Sequence, residues 1–232
     1  MDDTLLDRPV WHALTSRQAG LAVSDGQARR YRPDINVFAA GAEYDAATLA
    51  SLGTLAQMGE TMVIIEGDAA PPVPGTRVDR VRLVNQMVWD GRASPPSDFA
   101  HQPLGDADAG EMLALATLTA PGPFSAATHL MGDFIGVRDG GQLAAMAGQR
   151  FRLPGYAEVS AVCTHPDHRG KGHAGKLMQV LIARILAEGD TPFLHTYPDN
   201  AGAIRLYETL GFRFRRALTA TFLSADSPSR EI

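Results

Sequence analysis

Two hydrophobic periods alternate through the second half of the chain, and their order predicts an architecture. Phe134-Ile135-Gly136-Val137 and Leu143 to Ala147 are short apolar runs flanking Asp139-Gly140-Gly141, a turn sequence that predicts a β-hairpin. Another apolar, β-prone run covers Tyr156 to Thr164. Beyond a proline and several glycines, Leu177, Leu181 and Ile185 recur at helical spacing, which predicts a helix to about Glu188 with Gly189 as its stop. Pro192 to Tyr197 reads as the next strand, and it must run parallel to the 156–164 strand if the helix packs back on the sheet. Asn200 is a good N-cap for a helix stopped at Gly211, and Phe212 opens a last strand to about Leu223. The tail from Ser224 is expected to fray.

The first half is less regular. Arg17, Arg29, Arg30 and Arg32 lie in a polar stretch that looks helical and exposed. Leu49, Leu52, Leu55 and Ala56 share a helical spacing, with Gly59 as a plausible stop; Met62 to Ile65 and Val78 to Trp89 read as strands. Trp11 and Trp89 are expected to pack in a core. Asp106 and Asp108 can cap a helix carrying Met112, Leu115, Ala116 and Leu118, ended by Pro121-Gly122-Pro123. Pro95, Pro96 and Pro103 mark a boundary within residues 91–107, dividing the chain into an α/β subdomain over 1–103 and a second domain over 104–232.

Composition narrows the functional classes. The chain of 232 residues has formal net charge -5 and no Lys/Arg block, which argues against a nucleic-acid binder. One cysteine, Cys163, excludes an intramolecular disulfide and does not match zinc-ligand spacing, so no metal site is expected and a reducing cytoplasm fits. The N-terminus starts acidic, unlike a signal peptide, and no apolar run is long enough to span a bilayer, so no membrane partner is expected.

The stretch Val162 to Leu177 carries the chemistry. A strand feeding a glycine-rich loop at a helix N-terminus turns backbone N–H groups and about half a positive charge toward a ligand, and suits a phosphate or pyrophosphate. Gly170 to Lys176 reads G-x-x-x-x-G-K, but Leu177 stands where a nucleotide-binding P-loop needs Ser or Thr for Mg²⁺. The same residues also read R-x-x-G-x-A at Arg169, Gly172 and Ala174, preceded by V-x-T-x-P-x-x-R. One helix and one strand later comes N-x-x-x-x-x-L-Y-x-x-x-G-F, from Asn200 to Phe212. In this order the two patterns resemble the GCN5-related N-acetyltransferases over about residues 106–223, and the wording from Glu158 to Pro166 is most similar to the branch related to glycine N-acyltransferases, the FR47-like acetyltransferases.

That resemblance implies an α/β fold with a mixed, mostly antiparallel central sheet, a splayed parallel strand pair and flanking helices, preceded by the smaller α/β subdomain, itself a candidate diverged copy of the fold. It implies acetyl-CoA, or coenzyme A, as the bound nucleotide, and a small-molecule amine or amino acid as acceptor, attacking the thioester directly; a homodimer is left open. The pantetheine arm would lie on the backbone of Val162, Cys163 and Thr164, with the pyrophosphate on Arg169, Gly170, Lys171, Gly172, His173, Ala174 and Gly175. Asn200 would bond the pantetheine arm, and Tyr207 would protonate the departing thiolate. Asn200, Ala203 and Tyr207 share one helix face, with Leu206 and Leu210 toward the core. Glu158 is the leading candidate for the base, directly or through a water; its alternative is an edge or surface carboxylate. His129, His165, His168 and His195 are expected at turns or on the surface, and Cys163 as a small strand residue and not a nucleophile. A catalytically silent CoA-binding module is the alternative to an enzyme.

Overall fold

The computed structural model describes residues 3–91 and 99–226. The chain packs as two compact units that are not contiguous in sequence: one comprises Asp34–Asn36 and Asn85–Arg216, the other the stretch up to Pro33, Val37–Val84 and the chain from Ala217 on. The division therefore does not fall in the proline-rich stretch 91–107. It falls inside two long strands, Thr76–Trp89 and Phe212–Ala225, each of which has residues in both units. Pro95 and Pro96 lie outside the described residues.

In the unit built around the N-terminal half, β1 (Ala22–Asp25) and β2 (Ala28–Tyr31) form a hairpin, and β2 pairs antiparallel with β3 (Phe38–Gly41). Helix α1 (Pro9–Leu14) precedes them, and α2 (Ala46–Ala56) connects β3 to the parallel strand β4 (Met62–Glu66). Asp45 caps α2 by accepting from the Thr48 N–H. The arginine-rich stretch departs from its expected exposed helix: Arg29 and Arg30 lie on β2, and Arg30 is 1% exposed, donating to the carbonyls of Leu55 and Tyr31. Burial sends the polar end of Arg30 to backbone carbonyls, so charge in the sequence is no guide to exposure here. Arg8 donates to the Gly41 and Ala42 carbonyls and to Glu66, which also accepts from the Tyr44 hydroxyl.

In the other unit the sheet runs, strand by strand, from the 85–88 part of β5 (Thr76–Trp89) through β10 (Thr191–Thr196), β9 (Tyr156–Thr164), β8 (Gln142–Leu153) and β7 (Phe134–Asp139) to β6 (Gln102–Leu104). Only the β9–β10 pair in this set is parallel. The crossover between them is α4 (His173–Ala187), whose Leu177, Leu181 and Ile185 are fully buried against one sheet face with Ala145, Ala157, Val159 and Leu194. Helix α3 (Ala109–Thr119) covers the opposite face, packing Met112, Leu115 and Ala116 on Met146, Ala161 and Cys163. It ends at Ala120 in the left-handed region, one residue before the prolines, and Asp108 accepts from the Gly105 N–H instead of capping it. Helix α5 (Ala201–Thr209) follows β10, and β11 (Phe212–Ala225) ends the described chain. Trp89 packs against the α4 core.

Gly148 shows how tightly the α3 face is filled: it pairs directly with Phe134 across the ladder, and a Cβ on it would meet the Phe134 ring at 2.4 Å. Gly148→Ala is expected to lower stability by about 1–3 kcal/mol, the usual range for overpacking, seen as a reduced urea midpoint at unchanged slope.

Candidate functional site

The site begins where two strands stop pairing. β9 and β10 are in register at Thr191↔Tyr156, Pro192↔Ala157 and Phe193↔Glu158, and no further. Beyond Glu158, β9 stays on β8, while β10 continues on β5 through His195↔Gln86 and Thr196↔Asn85. A gap therefore opens between two adjacent parallel strands.

A register shift lies at the mouth of that gap. Met146 pairs with Cys163 and Gly148 with Ser160, so Ala147 faces two residues, Ala161 and Val162. Ala161 takes up the extra length at φ 52°, a left-handed conformation uncommon for a residue with a Cβ. The extra residue reverses the alternation of side chains: Ala157 and Val159 pack toward α4, yet Ala161 and Cys163 pack toward α3. It also orients the backbone. The His165 N–H donates to Ala144 on β8 at 2.8 Å, so by alternation the N–H groups of Thr164 and Val162 face the gap.

The loop after β9 is open at the backbone. Pro166–His168 forms one 3-10 turn, and Gly170 and Gly172 follow at φ 79° and 75°. A Cβ built on either would meet nothing within 4 Å. Gly172 is the N-cap of α4 and supplies no side chain to bond the first-turn N–H groups, which point into the loop with the positive end of the helix dipole. Cations surround it: the His173 pKa is lowered first by burial and then by Lys171, Lys176 and His168. Lys171 and His168 also share Asp139, from the β7–β8 turn, at 3.1 and 3.2 Å. Arg169 is exposed. A backbone cradle with cationic flanks fits a diphosphate.

Helix α5 brings the phenol to this region. Asn200 caps it, its Oδ1 accepting from the Ala203 N–H at 3.2 Å, which leaves the amide nitrogen to donate elsewhere. Leu206 and Tyr207 pack on the same core cluster as Val162, and a Cβ on Gly175 would stand 3.4 Å from Leu206, so α5 lies against the first turn of α4. The Tyr207 ring meets Phe212 edge-on, and among the described residues its hydroxyl has no hydrogen-bond partner. Burial raises its pKa, so the phenol keeps its proton at neutral pH.

Glu158 is not an edge or surface carboxylate: it is 0% exposed. A second register shift on β8 sets Arg150 and Phe151 against this one residue, and Arg150 donates Nε–H and Nη2–H to its two oxygens at 2.7 Å each. His195 completes the shell, its Nδ1 lying 2.7 Å from Glu158 Oε1. The expected turn or surface histidine is thus a strand residue with a side chain 4% exposed. Arg215 donates to Gln86 Oε1 at 3.0 Å, which turns the Gln86 amide nitrogen toward His195 Nε2 at 3.1 Å. The imidazole must then accept at Nε2 and donate from Nδ1, so the row Arg215–Gln86–His195–Glu158–Arg150 has one consistent direction. Burial alone would raise the Glu158 pKa; Arg150 and His195 outweigh it and hold it down at about 2. Cys163, buried on the α3 side, has its thiol pushed up to about 11 by burial, which leaves it a packing residue. No cluster of three or more metal-ligating side chains exists among the described residues, and no helix among them is long and apolar enough to cross a membrane.

Sequence reasoning singled out Glu158 and missed Arg150, Gln86 and Arg215. The only sequence signal for Arg150 is its position in the hairpin turning at Pro154-Gly155, which puts it near Glu158 once the register is known.

Residues 134–221 match the family model described as FR47-like protein. A GNAT-family protein from Novosphingobium aromaticivorans is 46% identical, with 96% of this chain and 99% of that one covered at TM-score 0.88. N-alpha-acetyltransferase RimI of Mycobacterium tuberculosis is 31% identical over 83 residues; the match covers 34% of this chain and about half, 51%, of that relative. A GCN5-related N-acetyltransferase from Kribbella flavida shares the fold at TM-score 0.60 and 19% identity, over 99% of this chain and 97% of that one.

Glu158 yields a stability prediction. A folded pKa of about 2, against an ordinary value of 4.5, gives stability that is complete above the ordinary value and lost as pH falls through the folded one. Glu158→Gln leaves Arg150 buried without its counter-ion, at a cost of about 3–5 kcal/mol. In urea titrations the deficit against wild type should be full at neutral pH and shrink as pH drops below about 4.

Proposed function

Since the chain belongs to the GCN5-related N-acetyltransferase family, we propose that it transfers an acetyl group from acetyl-CoA to a primary amine of a small molecule or amino acid. The observation that carries this reading is the parting of β9 from β10 directly before an open glycine loop, with a partly buried tyrosine on the next helix. The backbone from Arg169 to Gly175 would hold the diphosphate of the substrate. The N–H groups of Val162 and Thr164 would bond the pantetheine arm, Cys163 between them contributing backbone alone, and the Asn200 amide would add a donor.

The amine attacks the thioester carbonyl directly, forming the new C–N bond as the C–S bond breaks. Tyr207 gives its proton to the departing sulfur; a phenol whose pKa is raised by burial is still protonated when a thiolate of pKa about 8.5 leaves. Glu158 has a different role from the expected base. Moving a proton from an α-ammonium of pKa about 8 to a carboxylate near 2 is uphill by about six units, or roughly 8 kcal/mol. Glu158 instead fixes Arg150 and His195 beneath the gap, and the acceptor loses its proton to water.

Calorimetric titration with acetyl-CoA is expected to show saturable one-site binding, and Gly172→Val, which forces a β-branched residue to φ 75°, should abolish it. Tyr207→Phe should lower kcat by about 10²-fold or more with acetyl-CoA affinity unchanged. Unchanged turnover in Tyr207→Phe, or no acetyl-CoA binding by wild type, rejects the reading.

A further inference from the structure

The unit built around the N-terminal half contains a second parallel strand pair that parts. β3 and β4 are in register at Phe38↔Val63 and Ala39↔Ile64, and no further. Beyond that point Ala40 and Gly41 lie opposite Arg29 and Ala28 of β2, while Ile65 and Glu66 lie opposite Ala220 and Thr219 of β11. The order β3–α2–β4 thus repeats β9–α4–β10, a strand, a helix and a parallel strand, and in both pairs the strands diverge toward their C-terminal ends.

The second parting is occupied by the chain itself. The Arg8 guanidinium reaches across it and donates from all three of its nitrogens: Nη1 and Nη2 to the carbonyls of Ala42 and Gly41, where β3 ends, and Nε and Nη2 to the Glu66 carboxylate, where β4 ends. The Tyr44 hydroxyl donates to Glu66 Oε1 at 2.7 Å, which holds that carboxylate in place. Arg8 Cζ lies 5.8 Å from the centre of the Trp11 ring and 5.7 Å from that of Tyr44, within reach of a cation–π contact. Carbonyls on one side, a carboxylate on the other and aromatic rings nearby suit the planar fork of a guanidinium better than a point ammonium. The loop after β3 is shut as well. Asp45 Oδ1 takes the Thr48 N–H at 2.8 Å, and a Cβ on Gly41 would meet Thr48 Cγ2 at 2.5 Å, whereas one on Gly170 or Gly172 would meet nothing. A carboxylate already capping the helix repels a phosphate there.

We infer that the parting of β3 from β4 is a guanidinium-binding site whose ligand the chain supplies from Arg8, so that the N-terminal unit closes with its own side chain the kind of gap that β9 and β10 leave open. The site takes a planar cation and not a diphosphate, and this unit holds no acetyl-CoA of its own. A carboxylate and two carbonyls converging on one point need a cation between them; without it their oxygens face one another unpaired. The guanidinium site stands on these contacts alone, independently of the acetyl-transfer reading.

The test is thermal unfolding of the full chain with Arg8 removed and a free guanidinium returned. Arg8→Ala is expected to lower Tm by about 5–15 °C, because Glu66 loses its counter-ion. Methylguanidinium at roughly 20 mM should then restore about 2–5 °C, saturably, as a ligand of the folded state alone. It should leave wild type unmoved, and methylammonium at the same concentration should restore nothing. No rise in the variant, an equal rise in wild type, or equal rescue by methylammonium overturns the inference. If Arg8→Ala does not fold, wild type decides by nitrogen-15 spectra, with the Arg8 Nε–H signal assigned by its loss in Arg8→Lys. That proton should exchange with solvent about tenfold or more slowly than in free arginine, and exchange at the free rate overturns the inference. Calorimetry should give one acetyl-CoA per chain. A second equivalent that Arg8→Lys alters overturns the closure, whereas no binding at all removes the acetyl-transfer reading and leaves the guanidinium site to be decided by the melting and exchange results.

Discussion

A backbone donor that leaves a β-ladder must find another partner, and this requirement organises the C-terminal unit. β9 and β10 stay paired only as far as Glu158 and Phe193, and past that point the strand edge facing the gap has lost its ladder partner. The shift at Ala161 sits just beyond the divergence, so the chain turns two successive residues toward α3 and still offers regularly spaced N–H groups to the gap. The open glycine backbone at the end of the same strand continues that offer to a phosphate. One interrupted ladder thus accounts for the gap, its polarity and its direction.

The second constraint is charge removed from water. Arg150, Glu158 and His195 are all nearly inaccessible, and a buried ion pair of this kind gives little net stability over apolar packing of similar volume. What the row provides is fixity. Each member has a donor or acceptor role set by its neighbour, so the imidazole tautomer and the guanidinium plane are decided before any ligand arrives.

Much of this was legible in the residue order. The run from Tyr156 to Thr164 has the bounds of β9, because Gly155 and Pro166 punctuate it, and Asn200 announces its helix by cap chemistry. The glycine loop was readable because positive φ leaves a compositional mark. The register shifts leave none: in an almost uniformly apolar strand, one extra residue does not disturb the pattern, so the reversal of faces at Ala161 and the approach of Arg150 to Glu158 were invisible. Arg30 misled for the opposite reason, since its charge is satisfied by carbonyls distant in sequence. The proline-rich stretch suggested a boundary by composition, but the division is set by which distant segments pack together.

The two strands that have residues in both units carry a consequence for inheritance. A chain whose compact parts are laid out end to end can lose or exchange one of them through a single recombination event. Here β5 and β11 each belong partly to one unit and partly to the other, and the stretch up to Pro33 packs with the residues that follow Arg216. Excising either part would require several breaks in the chain, because neither unit is one contiguous stretch of sequence.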